Sequence, residues 1–120
     1  MDVTDFSPSW AFGAGDAIGT AADLVTWAKA LWSGALLDPA MHSEQLEFVP
    51  NDATPYGLGI RDVGGLIGHN GQISGYMSQA GIRAIDGAVI VVLTNVTQAP
   101  DLRLPATVLS DVISEAIPPG

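Results

Sequence analysis

The chain has 120 residues and a mass of 12.4 kDa, one domain's worth of polypeptide, which on folding buries roughly two thirds of the surface its unfolded form exposes. Apolar residues make up 48% and charged residues 14%, which excludes both an acidic disordered tail and a soluble coiled coil. A net charge of -9 repels phosphate backbones and anionic lipid, so nucleic acid is excluded as a partner. There is no Cys and only two His, which leaves no disulfide, no thiolate nucleophile and no basis for a zinc site. The longest apolar run, Ala88 to Leu93, is far short of the roughly 20 residues that span a bilayer, and no basic-then-apolar leader stands at the start.

In chain order, Asp2 to Asp16 has neither helical nor strand period and reads as an extended lead-in. Thr20 and Asp23 then form a capping-box variant, followed by Leu24, Trp27, Ala28 and Leu31 on one helical face, with Gly34 as the stop. Trp27 is expected in the core of that packing. Asp38 and Pro39 open a second helix over Ala40 to about Phe48, on which His42 reads as a solvated residue. Tyr56, Leu58 and Ile60 alternate with Gly57, Gly59 and Arg61 in the manner of a strand with something close against its glycine face. Gly64-Gly65 turns the chain, and Leu66 to His69, Tyr76 to Ile82 and Ala88 to Asn95 are further strands, with Asp86-Gly87 as a tight hairpin signal. The continuous Val/Ile/Leu run of the last is the pattern of a central strand covered on both faces. After Pro100, Leu104 to Ile117 repeats at helical spacing, with Pro118-Pro119 beyond the end. The expected fold class is α+β: an antiparallel sheet of three to four strands over 55–97, with the lead-in and two helices over 1–50 and a terminal helix over 101–117. One terminal helix covers one face of such a sheet, so a second cover is also expected.

Chemistry-bearing side chains concentrate in Gly68-His69-Asn70-Gly71-Gln72-Ile73-Ser74-Gly75-Tyr76. Locally, two conformations fit. Asn70-Gly71 suits a type I′ hairpin turn, which makes His69 an ordinary flanking residue. Alternatively the backbone stays extended through Gln72, and Gly71 leaves a sheet edge bare for a ligand to form main-chain hydrogen bonds. His69 and Asn70 then point to opposite faces.

Several segments carry a family resemblance: Gly15-Asp16-Ala17-Ile18-Gly19-Thr20-Ala21-Ala22-Asp23-Leu24, Tyr56-Gly57-Leu58-Gly59, Gly68-His69-Asn70-Gly71, Ser74-Gly75-Tyr76 and Val92-Leu93-Thr94-Asn95. Together they resemble the C-terminal portion of the serine β-lactamase-related family, which includes class C β-lactamases, D-alanyl-D-alanine carboxypeptidases, penicillin-binding proteins, D-aminopeptidases and esterases. The resemblance covers nearly all of the chain and part of the family's fold, and it implies that 1–120 is a single C-terminal segment of such a domain. His69-Asn70-Gly71 matches the family's third motif, a Lys/His-x-Gly triplet on a sheet-edge strand. By that analogy His69, Asn70, Gly71 and Gln72 bind substrate, His69 assists catalysis, and the Gln72 backbone N–H is one of two oxyanion donors. The resemblance implies that His in place of Lys is closer to peptidases and esterases than to class C β-lactamases; separately, an imidazole, largely uncharged at neutral pH, holds a carboxylate less firmly than an ammonium does. The resemblance further implies no cofactor or metal, a peptide, β-lactam or ester substrate, the N-terminal part of the same fold as partner, and a cell-envelope or secreted setting.

The family's other motifs, Ser-x-x-Lys and Tyr-x-Asn, are not found. The one lysine, Lys29, has no serine three residues before it, so the chain has no nucleophile of its own and is expected to be inactive alone. Ser74, five residues from His69 across a glycine loop, reads as turn chemistry, and Tyr56 and Tyr76 read as core or rim packing. The alternative from a different class is a non-catalytic module that captures a peptide or partner chain on its sheet edge.

Overall fold

The computed structural model describes residues 2–50, 54–101 and 103–118; Leu102 and the expected stop residue Pro119 lie outside them. The elements run as 3₁₀ turns over Pro8–Ala14, helices α1 (Ala21–Trp32) and α2 (Pro39–Gln45), strands β1 (Arg61–Val63), β2 (Leu66–Ile73), β3 (Tyr76–Arg83) and β4 (Val89–Thr94), and helix α3 (Pro105–Ala116). The class is α+β as expected, with one antiparallel sheet in the order β1-β2-β3-β4.

The caps form as the sequence implies. Thr20 Oγ1 accepts from the Asp23 N–H, and the Asp23 carboxylate accepts from the Thr20 N–H at 2.8 Å. That backbone bond, followed by the one from the Thr20 hydroxyl, holds the Asp23 carboxyl below its ordinary value. Asp38 accepts from the N–H groups of Ala40 and Met41 at the head of α2. Gly64 and Gly65, both at positive φ (61° and 86°), make the two-residue turn into β2 that only such residues permit.

Alternation splits the sheet into two faces. On one, Leu66, Met77, Ile90 and Val92 pack with Ala106 and Ile113 of α3. The Arg83 guanidinium on this face ties the sheet to the end of α3, donating to Asp86, to the Ser114 carbonyl at 2.5 Å and to the Ile117 carbonyl at 2.8 Å. Against the other face, carrying Ile67, His69, Gly71, Ser78, Ala80, Val91 and Leu93, α1 packs over β3 and β4 and supplies part of the second cover.

Several expectations are corrected. The lead-in is not extended, because Pro8 and the Ser7 cap start 3₁₀ turns. Tyr56 to Ile60 is not a strand: the chain doubles back with Gly59 at φ 70°, and Gly57 lies against the Gln45 carbonyl where no side chain fits. The close neighbour expected on the glycine face is therefore real, and the strand itself starts at Arg61. The second helix ends at Gln45, three residues early, because the Gln45 carbonyl turns to the Leu58 N–H. His42 is half-buried, its ring lying over Gly34. Trp27 is 55% exposed, because the face of α1 that carries it looks into a groove. Arg83 and Ala88 close a four-residue loop, with Gly87 alone of the pair Asp86-Gly87 at positive φ. Finally, β4 is an edge strand among the described residues, with β3 as its neighbour.

Ile90 is 2% exposed at the centre of the α3-side core. Ile90→Ala should lower unfolding free energy by about 2–4 kcal/mol in urea titration, and a loss below about 0.5 kcal/mol would contradict that core.

Candidate active site

The candidate site is built on β2, which stays extended from Leu66 to Ile73 and pairs with β3 throughout. The register sets His69 opposite Ala80, Asn70 opposite Gln79, Gly71 opposite Ser78 and Gln72 opposite Met77. The turn falls instead at Ser74-Gly75, with Gly75 at φ 82° and its N–H donating to Thr97 Oγ1 at 2.9 Å. The extended alternative is thus the observed one, and the Asn70-Gly71 hairpin is not formed.

Backbone parity follows from this register. The Ala84 N–H donates to the Gly65 carbonyl, so the hydrogen-bonded pairs between β2 and β3 fall at the odd residues of β2. The even residues turn their N–H and C=O groups the other way. For Leu66 and Gly68 those groups meet β1, whose partners run no further than Arg61 opposite Gly68. Asn70 and Gln72 lie beyond that partner, so the Gln72 N–H is aimed out of the sheet edge.

Side chains complete the picture. His69 projects from the α1-side face, while Asn70 lies on the α3 side. The His69 Nδ1 is 2.6 Å from the Asn70 carbonyl oxygen and its Nε2 is 2.7 Å from the Tyr56 hydroxyl. The Tyr56 and His69 rings meet edge to face at 88°, with centroids 5.6 Å apart. Gly71 leaves room for a neighbour: a Cβ there would stand 2.6 Å from Ser78 Oγ. Between this face and α1 lies a groove of about 1200 Å³ whose walls include Trp27, Leu58, His69, Gly71, Gln72 and Tyr76.

The structure brings His69, Asn70, Gly71 and Gln72 to one groove, and it sets Tyr56, which sequence reading placed in general packing, against His69. No periodicity reveals Tyr56, since its position is set by reciprocal backbone bonds with Val49 and a bridge to Arg61. Ser74 sits in the turn, exposed, while both nitrogens of His69 are engaged by other groups. Lys29 is exposed on α1. Among the described residues, no group of three or more His, Cys, Asp or Glu is placed to hold a metal ion, and no helix is long and apolar enough to cross a membrane.

A four-stranded antiparallel sheet with α3 on one face and a groove under α1 on the other is of the β-lactamase/transpeptidase-like class of fold; the His-x-Gly strand is β2, second in the sheet, open only beyond the reach of β1. The chain belongs to the Beta-lactamase family, whose model matches residues 1–112. It is similar to the D-amino acid amidase of Ochrobactrum anthropi SV3 in complex with D-phenylalanine, at 32% identity and TM-score 0.71 over 87% of this chain and 38% of that one. The same enzyme with L-phenylalanine amide gives 30% identity and TM-score 0.69 over 86% and 33% of the two chains. The chain thus spans 33–38% of the length of these amidase chains.

Amide exchange tests the strand directly. Along β2 it should alternate, with His69 and Gly71 slow and Asn70 and Gln72 fast. Loss of that alternation at Asn70-Gly71 would restore the hairpin.

Proposed function

We propose that this chain is the C-terminal part of a β-lactamase-like serine hydrolase that cleaves small amides by acyl transfer, with His69 to Gln72 as the substrate-side edge of its active site. The observation that carries the reading is the open stretch of β2 beyond β1, where the Gln72 N–H points outward beside a glycine. The nucleophilic serine and its lysine come from the preceding part of the fold. Serine oxygen attacks the amide carbon, the carbonyl electrons move onto oxygen, and that oxyanion sits between the Gln72 N–H and the serine's own N–H. Each such donor is oriented before charge develops and is worth roughly 3 kcal/mol of barrier. Collapse expels the protonated amine, and water resolves the acyl-enzyme.

Among peptide, β-lactam and ester substrates, the amidase neighbours support an amide. The ligands in those structures, D-phenylalanine and L-phenylalanine amide, make an aromatic amino acid amide the first substrate to try. Trp27 and Phe6 on the groove wall offer flat apolar surface to such a side chain.

The test is steady-state hydrolysis of phenylalanine amide of either hand, a p-nitrophenyl ester and a chromogenic cephalosporin by the complete hydrolase and by the 120-residue chain. Turnover is expected from the complete protein and none from the chain alone. A complete protein that turns over none of them would favour the strand-capture alternative. In the active protein, Gly71→Val should lower kcat/KM by about 10²-fold or more, by crowding Ser78 and the Gln72 donor. His69→Ala should also lower it, while moving stability by no more than about 0.5 kcal/mol because the side chain is exposed. Wild-type kinetics in both variants would remove His69-Asn70-Gly71 from the active site.

A further inference from the structure

We infer that Tyr56 is a positioning residue that locks the His69 imidazole, on the groove wall, into its Nδ1–H form and one ring orientation. The inference rests on the reading of His69 as a groove residue of the hydrolase and adds a residue to which that reading gives no role.

The hydrogen-bond chemistry forces the assignment. The Asn70 carbonyl oxygen has lone pairs and no proton, so the His69 Nδ1 at 2.6 Å must be the donor. In the neutral ring Nε2 is then the acceptor, and the Tyr56 hydroxyl at 2.7 Å donates to it. Two contacts at opposite corners of one ring fix its rotation about the side chain, and the edge-to-face packing at 88° fills a third side.

Tyr56 is itself held rigidly. Its N–H donates to the Val49 carbonyl at 3.1 Å, and its carbonyl accepts from the Val49 N–H at 2.9 Å. A contact between neighbours on one strand, such as that of His69 with Asn70, competes poorly with water at an exposed site. The Tyr56 hydroxyl therefore supplies the bond that keeps the ring where the Asn70 contact can form. With both nitrogens occupied, His69 has no free ring nitrogen to offer a ligand while the Tyr56 contact holds.

The test needs no turnover. Long-range ¹H–¹⁵N spectra of the chain at about pH 9, well above the ordinary imidazole range, should show Nδ1 as the protonated nitrogen and Nε2 as the bare one. Tyr56→Phe keeps the ring and backbone bonds and removes one oxygen. It should release the ring to a mixture containing the Nε2–H form, with averaged contacts to Asn70 and an unchanged melting temperature. A wild-type ring carrying its proton on Nε2, or a Tyr56→Phe ring indistinguishable from wild type, would overturn the lock. In the complete hydrolase, Tyr56→Phe should lower kcat by about 10- to 100-fold, the scale of a misplaced group, and Tyr56→Leu, which also loses the edge-to-face contact, should lower it at least as much. Undiminished kcat in Tyr56→Phe would contradict the positioning role. A locked ring in a complete protein that hydrolyses nothing would count against the hydrolase reading and leave the lock standing.

Discussion

The unequal lengths of β1 and β2 are the constraint on which the rest of the molecule depends. Three residues of β1 against eight of β2 pair the first three residues of β2 and leave the other five, among the described residues, with β3 as their neighbour. An uncovered edge is ordinarily a liability, since its backbone groups template pairing with any passing chain. Here the edge is confined by the Asp62-to-Gly65 turn bond at one end and the Gly75-to-Thr97 bond at the other. Between them the Asn70 carbonyl is taken by His69, so the outward backbone groups open to a ligand are the Asn70 N–H and the N–H and C=O of Gln72.

The α3 side of the sheet makes that edge rigid. Gly68 lies opposite Gly81, and a Cβ at Gly68 would run into the Ala80 backbone, so β2 and β3 approach closely just before His69. Leu66, Met77, Ile90 and Val92 anchor β2, β3 and β4 to Ala106, and Arg83 clamps the end of β3 to the last turn of α3. Under the proposed function, a strand backed by a packed core gives the Gln72 donor the preorganisation that stabilising a developing charge requires. On the opposite face the groove is bounded by exposed aromatic residues, Trp27 foremost.

Much of this was legible in the sequence where local chemistry and global fold agree. Thr20 with Asp23, Asp38 with Pro39, and Gly64-Gly65 each carry one strong local preference, and each forms as read. Asn70-Gly71 was ambiguous because the same dipeptide suits a hairpin turn and a bare strand edge. What settles it is the eight-residue register with β3, a long-range property that no window of sequence contains. Trp27 and His42 were misplaced for a related reason. Helical spacing tells which residues share a face and not what stands opposite, and opposite Trp27 stands a groove while opposite His42 stands the bare backbone of Gly34. Tyr56 was invisible as a site residue because its partners lie seven residues before it and thirteen after it, across a chain reversal read as a strand.

The central claim is that the Gln72 N–H receives the negative oxygen of the reacting carbonyl, and a crystal structure of the complete hydrolase with a boronic-acid analogue of phenylalanine amide tests it most directly. The account predicts boron bonded to the serine oxygen, with one boronate oxygen at about 2.7–3.1 Å from the Gln72 nitrogen and the analogue's chain lying along the edge from Asn70 to Gln72. A boronate bonded to serine whose oxygens all lie beyond about 3.5 Å from that nitrogen would contradict it.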